Sequence, residues 1–138
     1  MKTLLFFCLL LHALSLHAQY GHSLLPHARS AGLGHSILHF READALVANP
    51  AGLAGLSAPA AQITAHSRFL LADLQQAQAG AALRLGDGSG GLLLEHFGGP
   101  HYREQTLALV YGRSLSPLLR IGLRLGALLR SLPEQEAS

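Results

Sequence analysis

"RIGLRLGALLR" (residues 120–130) alternates without a break. Ile121, Leu123, Leu125, Ala127 and Leu129 fall on one parity, and Arg120, Gly122, Arg124, Gly126, Leu128 and Arg130 on the other. Period two places successive side chains on opposite faces of a β-strand. The same stretch can be drawn as a helix, with Leu118, Ile121, Leu125, Leu128 and Leu132 on one face and Arg120, Arg124 and Ala127 on another. That would be a basic amphipathic helix of the kind that lies on membrane surfaces. Gly122 and Gly126 count against it, since each costs a helix about 1 kcal/mol relative to Ala. The strand is the better reading, and the segments before it repeat the pattern.

Working backwards, "EQTLALVYGR" (residues 104–113) sets Leu107, Leu109 and Tyr111 against Thr106, Ala108, Val110 and Gly112. "GGLLLEHF" (90–97) is a shorter apolar run carrying Glu95. "QAGAALRLG" (78–86) alternates Ala79, Ala81, Leu83 and Leu85 against Gln78, Gly80, Ala82 and Arg84. "AQITAHSRF" (61–69) sets Ile63, Ala65, Ser67 and Phe69 against Gln62, Thr64, His66 and Arg68. Between the segments lie the turn-forming clusters "GDGSGG" (86–91), "FGGPHY" (97–102) and "SLSP" (114–117). The prediction is an all-β chain of about five antiparallel strands joined as hairpins, each strand apolar on one face and small or polar on the other. A transmembrane β-strand needs about 9–11 residues with this apolar-out, polar-in alternation.

Residues 19–59 read differently. "READALVANPAGLAGLSAP" (41–59) predicts a short helix over Glu42–Val47. Asn49 is a natural N-cap and Pro50 fits a first helical position, so a second helix of one or two turns is expected over "PAGLAGL". The N-terminus carries an export signature: Lys2, then the apolar run "LLFFCLLLHALSL" (4–16), then "LHAQ" (16–19) as a cleavage site with the cut expected after Ala18. Thirteen residues are too few to span a bilayer, which takes roughly 20. The expected organisation is therefore a signal peptide over 1–18, an irregular segment with a short helix over 19–59, and a β-hairpin region over 60–138.

Composition narrows the function. Charged residues make up 13% and hydrophobic residues 49%, with no Trp and a mean hydropathy of +0.29. Soluble domains carry about 25% charged residues. The net charge of +2, which includes Lys2 of the leader, is too small for a nucleic-acid partner. Cys8, the sole cysteine, leaves with the leader, so no disulfide or Cys-based metal site is expected.

No segment reads as catalytic. "GDGSGG" matches G-x-G-x-x-G at Gly86, Gly88 and Gly91, but no crossover helix follows to receive a pyrophosphate, and a hairpin loop explains it better. His35 and His39 stand at i, i+4, without the glutamate of H-E-x-x-H and beside Gly32 and Gly34, which disfavour a helix. His66, His96 and His101 lie on separate segments, and no G-x-S-x-G elbow occurs. The expectation is no catalytic residue, no metal and no cofactor. Arg68, Arg84, Arg120, Arg124 and Arg130 fall on the less apolar faces, where they would line a lumen or, in a soluble sheet, face solvent.

A resemblance attaches to these residues. "ARSAGLG" (28–34) and "EADALVANPAGLAGL" (42–56), followed by strands, resemble the N-terminal region of PorV/PorQ-like outer-membrane β-barrels, and more distantly the FadL-type channels for hydrophobic compounds. Asn49, Pro50, Ala51, Gly52 and Leu53 carry the closest match. Leu33 stands where Met is usual, and Glu42 and Asp44 are what remains of an acidic pair. The resemblance implies a barrel of some fourteen strands with an N-terminal segment in or under its lumen. It also implies a non-enzymatic role in the outer membrane, as a channel for hydrophobic compounds or as an accessory of type IX secretion. The partners would be membrane lipid, hydrophobic small molecules or secretion-system components.

Five strands do not close a barrel, since single-chain barrels start at eight. The favoured reading is the N-terminal part of a longer product. Closure by several copies, and a small soluble periplasmic or surface β-sheet protein with a binding or structural role, are the alternatives.

Overall fold

The computed structural model describes residues 32–34 and 40–131. The leader and the His35–His39 pair lie outside them. Five strands form one antiparallel sheet in the order β1 (Ala60–Ser67), β2 (Gln75–Leu85), β3 (Gly88–Gly98), β4 (Arg103–Ser114) and β5 (Arg120–Ser131). The all-β reading with about five hairpin strands holds, and residues 120–130 form a strand and not a surface helix. The sheet is open, with β1 and β5 at its edges.

The hairpins differ from expectation in detail. "GDGSGG" contributes only Gly86 and Asp87 to the turn, and Gly88–Gly91 continue as β3. Gly86 has φ +59, at the first of two loop residues, where type II′ hairpins take glycine. The β4–β5 turn (115–119) is closed by Leu115 N–H donating to the Leu119 carbonyl at 2.9 Å, and by the Ser116 hydroxyl accepting from Leu119 N–H at 3.0 Å. At the opposite end, β1 stops at Ser67 and not at Phe69. Residues 68–74 turn through two short 3-10 segments in which Phe69 and Leu70 both have φ 57. Left-handed backbone at two bulky residues in a row is uncommon, and the period-two pattern gives no warning of it.

Before the sheet come a short helix, α1 (Ala45–Ala48), and a 3-10 helix over Pro50–Gly55. Helix α1 starts three residues later than expected, because Glu42 and Ala43 accept tighter turn-type bonds from Ala45 and Leu46 N–H. Asn49 caps the second helix as expected, its Oδ1 accepting from Ala51 N–H at 3.2 Å with Pro50 behind it. The two helices lie on one face of the sheet. Leu46, Leu53 and Leu56 are buried there with Ala45 and Val47 against Ala82, Leu93, Ala108 and Val110.

Candidate functional site

The cross-strand register assigns each side chain to a face. On the face under the helices, row after row is continuous from strand to strand: Gln62, Gly80, Leu93, Ala108 and Gly126, then Thr64, Gln78, Glu95, Thr106 and Leu128. Ala82, Gly91, Val110 and Arg124 form the next row toward the Gly86 turn, and Gly112 pairs with Gly122 beyond it. On the other face the central row is Ala81, Leu92, Leu109 and Leu125, with Leu94, Leu107, Leu123 and Ile121 around it.

The helical segment sits on a floor of missing side chains. A Cβ on Gly122 would stand 2.2 Å from the Ala51 nitrogen, and one on Gly112 would stand 2.3 Å from the Pro50 carbonyl oxygen. Both obstacles are backbone, so the Asn49–Leu53 stretch can approach β4 and β5 only because that register position is glycine on both strands. Leu46 drops over Gly80 and Gly91 in the same way. Gly52 itself passes the Phe40 carbonyl with no room for a side chain. The small residues of "NPAGLAGL" therefore bring backbone against backbone.

The remainder of this face is polar and largely buried. Glu95, only 9% exposed, accepts from Gln78 Nε2 at 2.9 Å and is ion-paired with Arg124. Glu104, 3% exposed, is ion-paired with Arg130 Nε at 2.7 Å and accepts from the Tyr102 hydroxyl. That bond, then burial and the Glu104 charge, push the Tyr102 phenol above its ordinary value, with Arg130 opposing. Arg84 Nη1 donates to the Leu56 carbonyl at 3.2 Å and so ties the end of the helical segment to β2. Gln62, Gln76, Gln78 and Ser89 keep buried polar atoms without a hydrogen-bond partner.

Of the five arginines singled out from sequence, Arg84, Arg120, Arg124 and Arg130 share this face. Arg68 falls in the turn after β1, outside the strand alternation. Sequence reasoning passed over Glu95 and Glu104 as partners, because the spacing within one strand does not show which residue lies opposite on the next. His66 is on the helix-covered face, His96 on the other, and His101 in the β3–β4 turn. Among the described residues no group of three or more His, Cys, Asp or Glu side chains is placed to hold a metal ion. No helix among them is long and apolar enough to cross a membrane, which does not bear on strands.

Comparison with known family models, with curated proteins and with solved structures finds no match to this chain.

Proposed function

We propose that this sheet is part of the wall of an outer-membrane β-barrel, with a non-catalytic role as a channel for hydrophobic compounds or an accessory of type IX protein secretion. One observation carries the reading: the amphipathicity is inverted relative to a water-soluble sheet. Gln76, Gln78, Glu95 and Glu104 are buried, while Ile63 (86% exposed), Leu92, Leu94, Leu107, Leu109, Leu123 and Leu125 are bare. A soluble sheet gains stability by covering its apolar face; a barrel wall leaves that face to lipid and turns polar residues inward. Strands β2–β5, at 11 or 12 residues, are long enough to cross. The helical segment then occupies the lumen side.

Within a bilayer the edges β1 and β5 need partners, since lipid offers none for backbone N–H and C=O groups. Five alternating strands leave β1 and β5 running the same way. A ring of identically oriented copies would pair them in parallel, so antiparallel closure requires further strands of a different kind. This favours additional strands over a ring of copies.

A second reading has one feature in its favour. The apolar face carries a trough of about 450 Å³ lined by Ile63, Ala79, Leu94, Leu107 and Leu129, a seat for an apolar ligand on a soluble sheet. Fractionation separates the two. Expressed with its own leader in a bacterium that has an outer membrane, the chain is expected to sediment with that membrane. It should need detergent for extraction and migrate faster in gels before boiling than after. Recovery in the periplasmic fraction without detergent would overturn the barrel reading.

A further inference from the structure

We propose that the bare face of the sheet carries a seat for an anionic phospholipid, with the phosphate held by Arg103 beside His96 and Gln105 and an acyl chain in the trough next to them. The inference rests on the barrel-wall reading and starts from the charges. Glu95 and Glu104 lie on the helix-covered face, and among the described residues no carboxylate occupies a strand position of the other face. That bare face does carry two arginines. Arg113 is neutralised by Asp87 in the turn, at 2.9 Å. Arg103 is exposed and has no hydrogen-bond or ion-pair partner among the described residues.

The register places these groups relative to one another. His96 stands directly opposite Gln105, and Arg103 stands opposite Gly98, one row farther out on the same face. Direct neighbours across strands lie about 5 Å apart and diagonal ones about 7–8 Å, so the three side chains reach one phosphate, which a guanidinium takes bidentately. His96 and Gln105 also line the apolar trough of about 450 Å³, which continues over Leu94, Leu107, Leu129 and Ile63. The depth fits as well. From Leu109, at the centre of the bare face, to Arg103 is about 20 Å along the strand, or about 15 Å along the membrane normal at a tilt near 40°. Half the hydrocarbon thickness is also about 15 Å. Arg103 therefore falls at headgroup level, and the trough falls among the acyl chains.

The chain has no tryptophan, so Leu107→Trp in the trough and Leu123→Trp toward the Gly86 turn each report on one place. The full chain is reconstituted in phosphatidylcholine vesicles containing either brominated phosphatidylglycerol or brominated phosphatidylcholine, and fluorescence quenching gives the relative association of the two lipids. Gel migration before and after boiling shows that each variant is folded. Phosphatidylglycerol is expected to be favoured about fivefold at the Leu107→Trp reporter, the factor for one arginine against an anionic headgroup, and about equally with phosphatidylcholine at Leu123→Trp. With the Leu107→Trp reporter, Arg103→Gln should abolish the preference and Arg113→Gln should leave it unchanged. Equal quenching by both lipids at Leu107→Trp, or a preference that survives Arg103→Gln, would overturn the lipid seat and leave the barrel wall standing. No quenching by either lipid at either reporter would overturn the wall reading itself.

Discussion

The two faces of this sheet have opposite problems. One is covered yet polar: two short helices lie across part of it, and Glu95, Glu104 and three glutamines or serines with unmet polar atoms are buried beside them. The other is apolar yet uncovered, with Leu109 63% exposed at its centre. In water the arrangement would be costly on both counts, since exposed leucines forgo about 1.5–3 kcal/mol each and buried carboxylates need partners. The comparison teaches that the covered face buries charged and amide side chains beside its apolar cluster, while the other face leaves its leucines bare. That is the order expected when lipid is the solvent.

The largest expected effect breaks the covered face. Gly122→Val drives a side chain into the backbone of Ala51, which has no cheap way to move, and should destabilise by about 3 kcal/mol as the helical segment lifts from β5. Gly126→Ala, four residues along the same strand, meets nothing closer than the Ala108 Cβ at 3.3 Å and should change stability by less than about 0.5 kcal/mol. Urea unfolding in detergent micelles measures both, and equal effects would dismiss the seat as the reason for glycine.

The bare face is tested next, by Leu109→Arg. Against lipid the substitution should cost about 2–4 kcal/mol in bilayer-reconstituted protein. Against water it should be within about 0.5 kcal/mol. A neutral result in bilayers would remove lipid from the outside.

The polar interior is sharpened by Arg124→Ala, which leaves the Glu95 carboxylate buried with Gln78 alone. Loss of about 2–3 kcal/mol is expected, below the full cost of an orphaned buried charge because Arg124 is itself part-exposed. Replacing both Glu95 and Arg124 with Leu should recover most of it, and a double-mutant cycle reads the coupling.

The smallest effect is at the rim. Tyr102 has a raised pKa, so its neutral form is favoured in the folded state. The associated stability is fully present below the ordinary phenol value near 10 and is lost as pH rises through the higher folded value. Tyr102→Phe should lower the unfolding midpoint slightly at about pH 8 and flatten its decline toward about pH 11, so that the two proteins converge there. A wild-type midpoint that does not fall over that range would contradict the Tyr102–Glu104 bond.

How much was legible varied along the chain for physical reasons. β5, β4 and β2 were readable because alternation is local: the pleat alone sends Leu123 and Arg124 to opposite faces. The cap at Asn49 and Pro50 was readable for the same reason, since it rests on neighbouring backbone groups. The end of β1 was not, because the left-handed turn at Phe69 and Leu70 uses residues that carry no turn signature. Nor were the arginine partners. Arg124 meets Glu95 across 29 positions of chain, through a register that depends on where two hairpins turn.

By itself, then, the sequence determined the number of strands, their antiparallel order and which side chains share a face, since period two and short turns are properties of a few adjacent residues. Only the tertiary structure decided which face is inside. Either face of an amphipathic strand can be buried, and the choice went to the polar one because glycines at 80, 91, 112 and 122 admit the Leu46 side chain and the Pro50–Ala51 backbone there. It also decided that Arg124 and Arg130 are neutralised, because a partner on another strand is set by register and packing, and not by spacing along the chain.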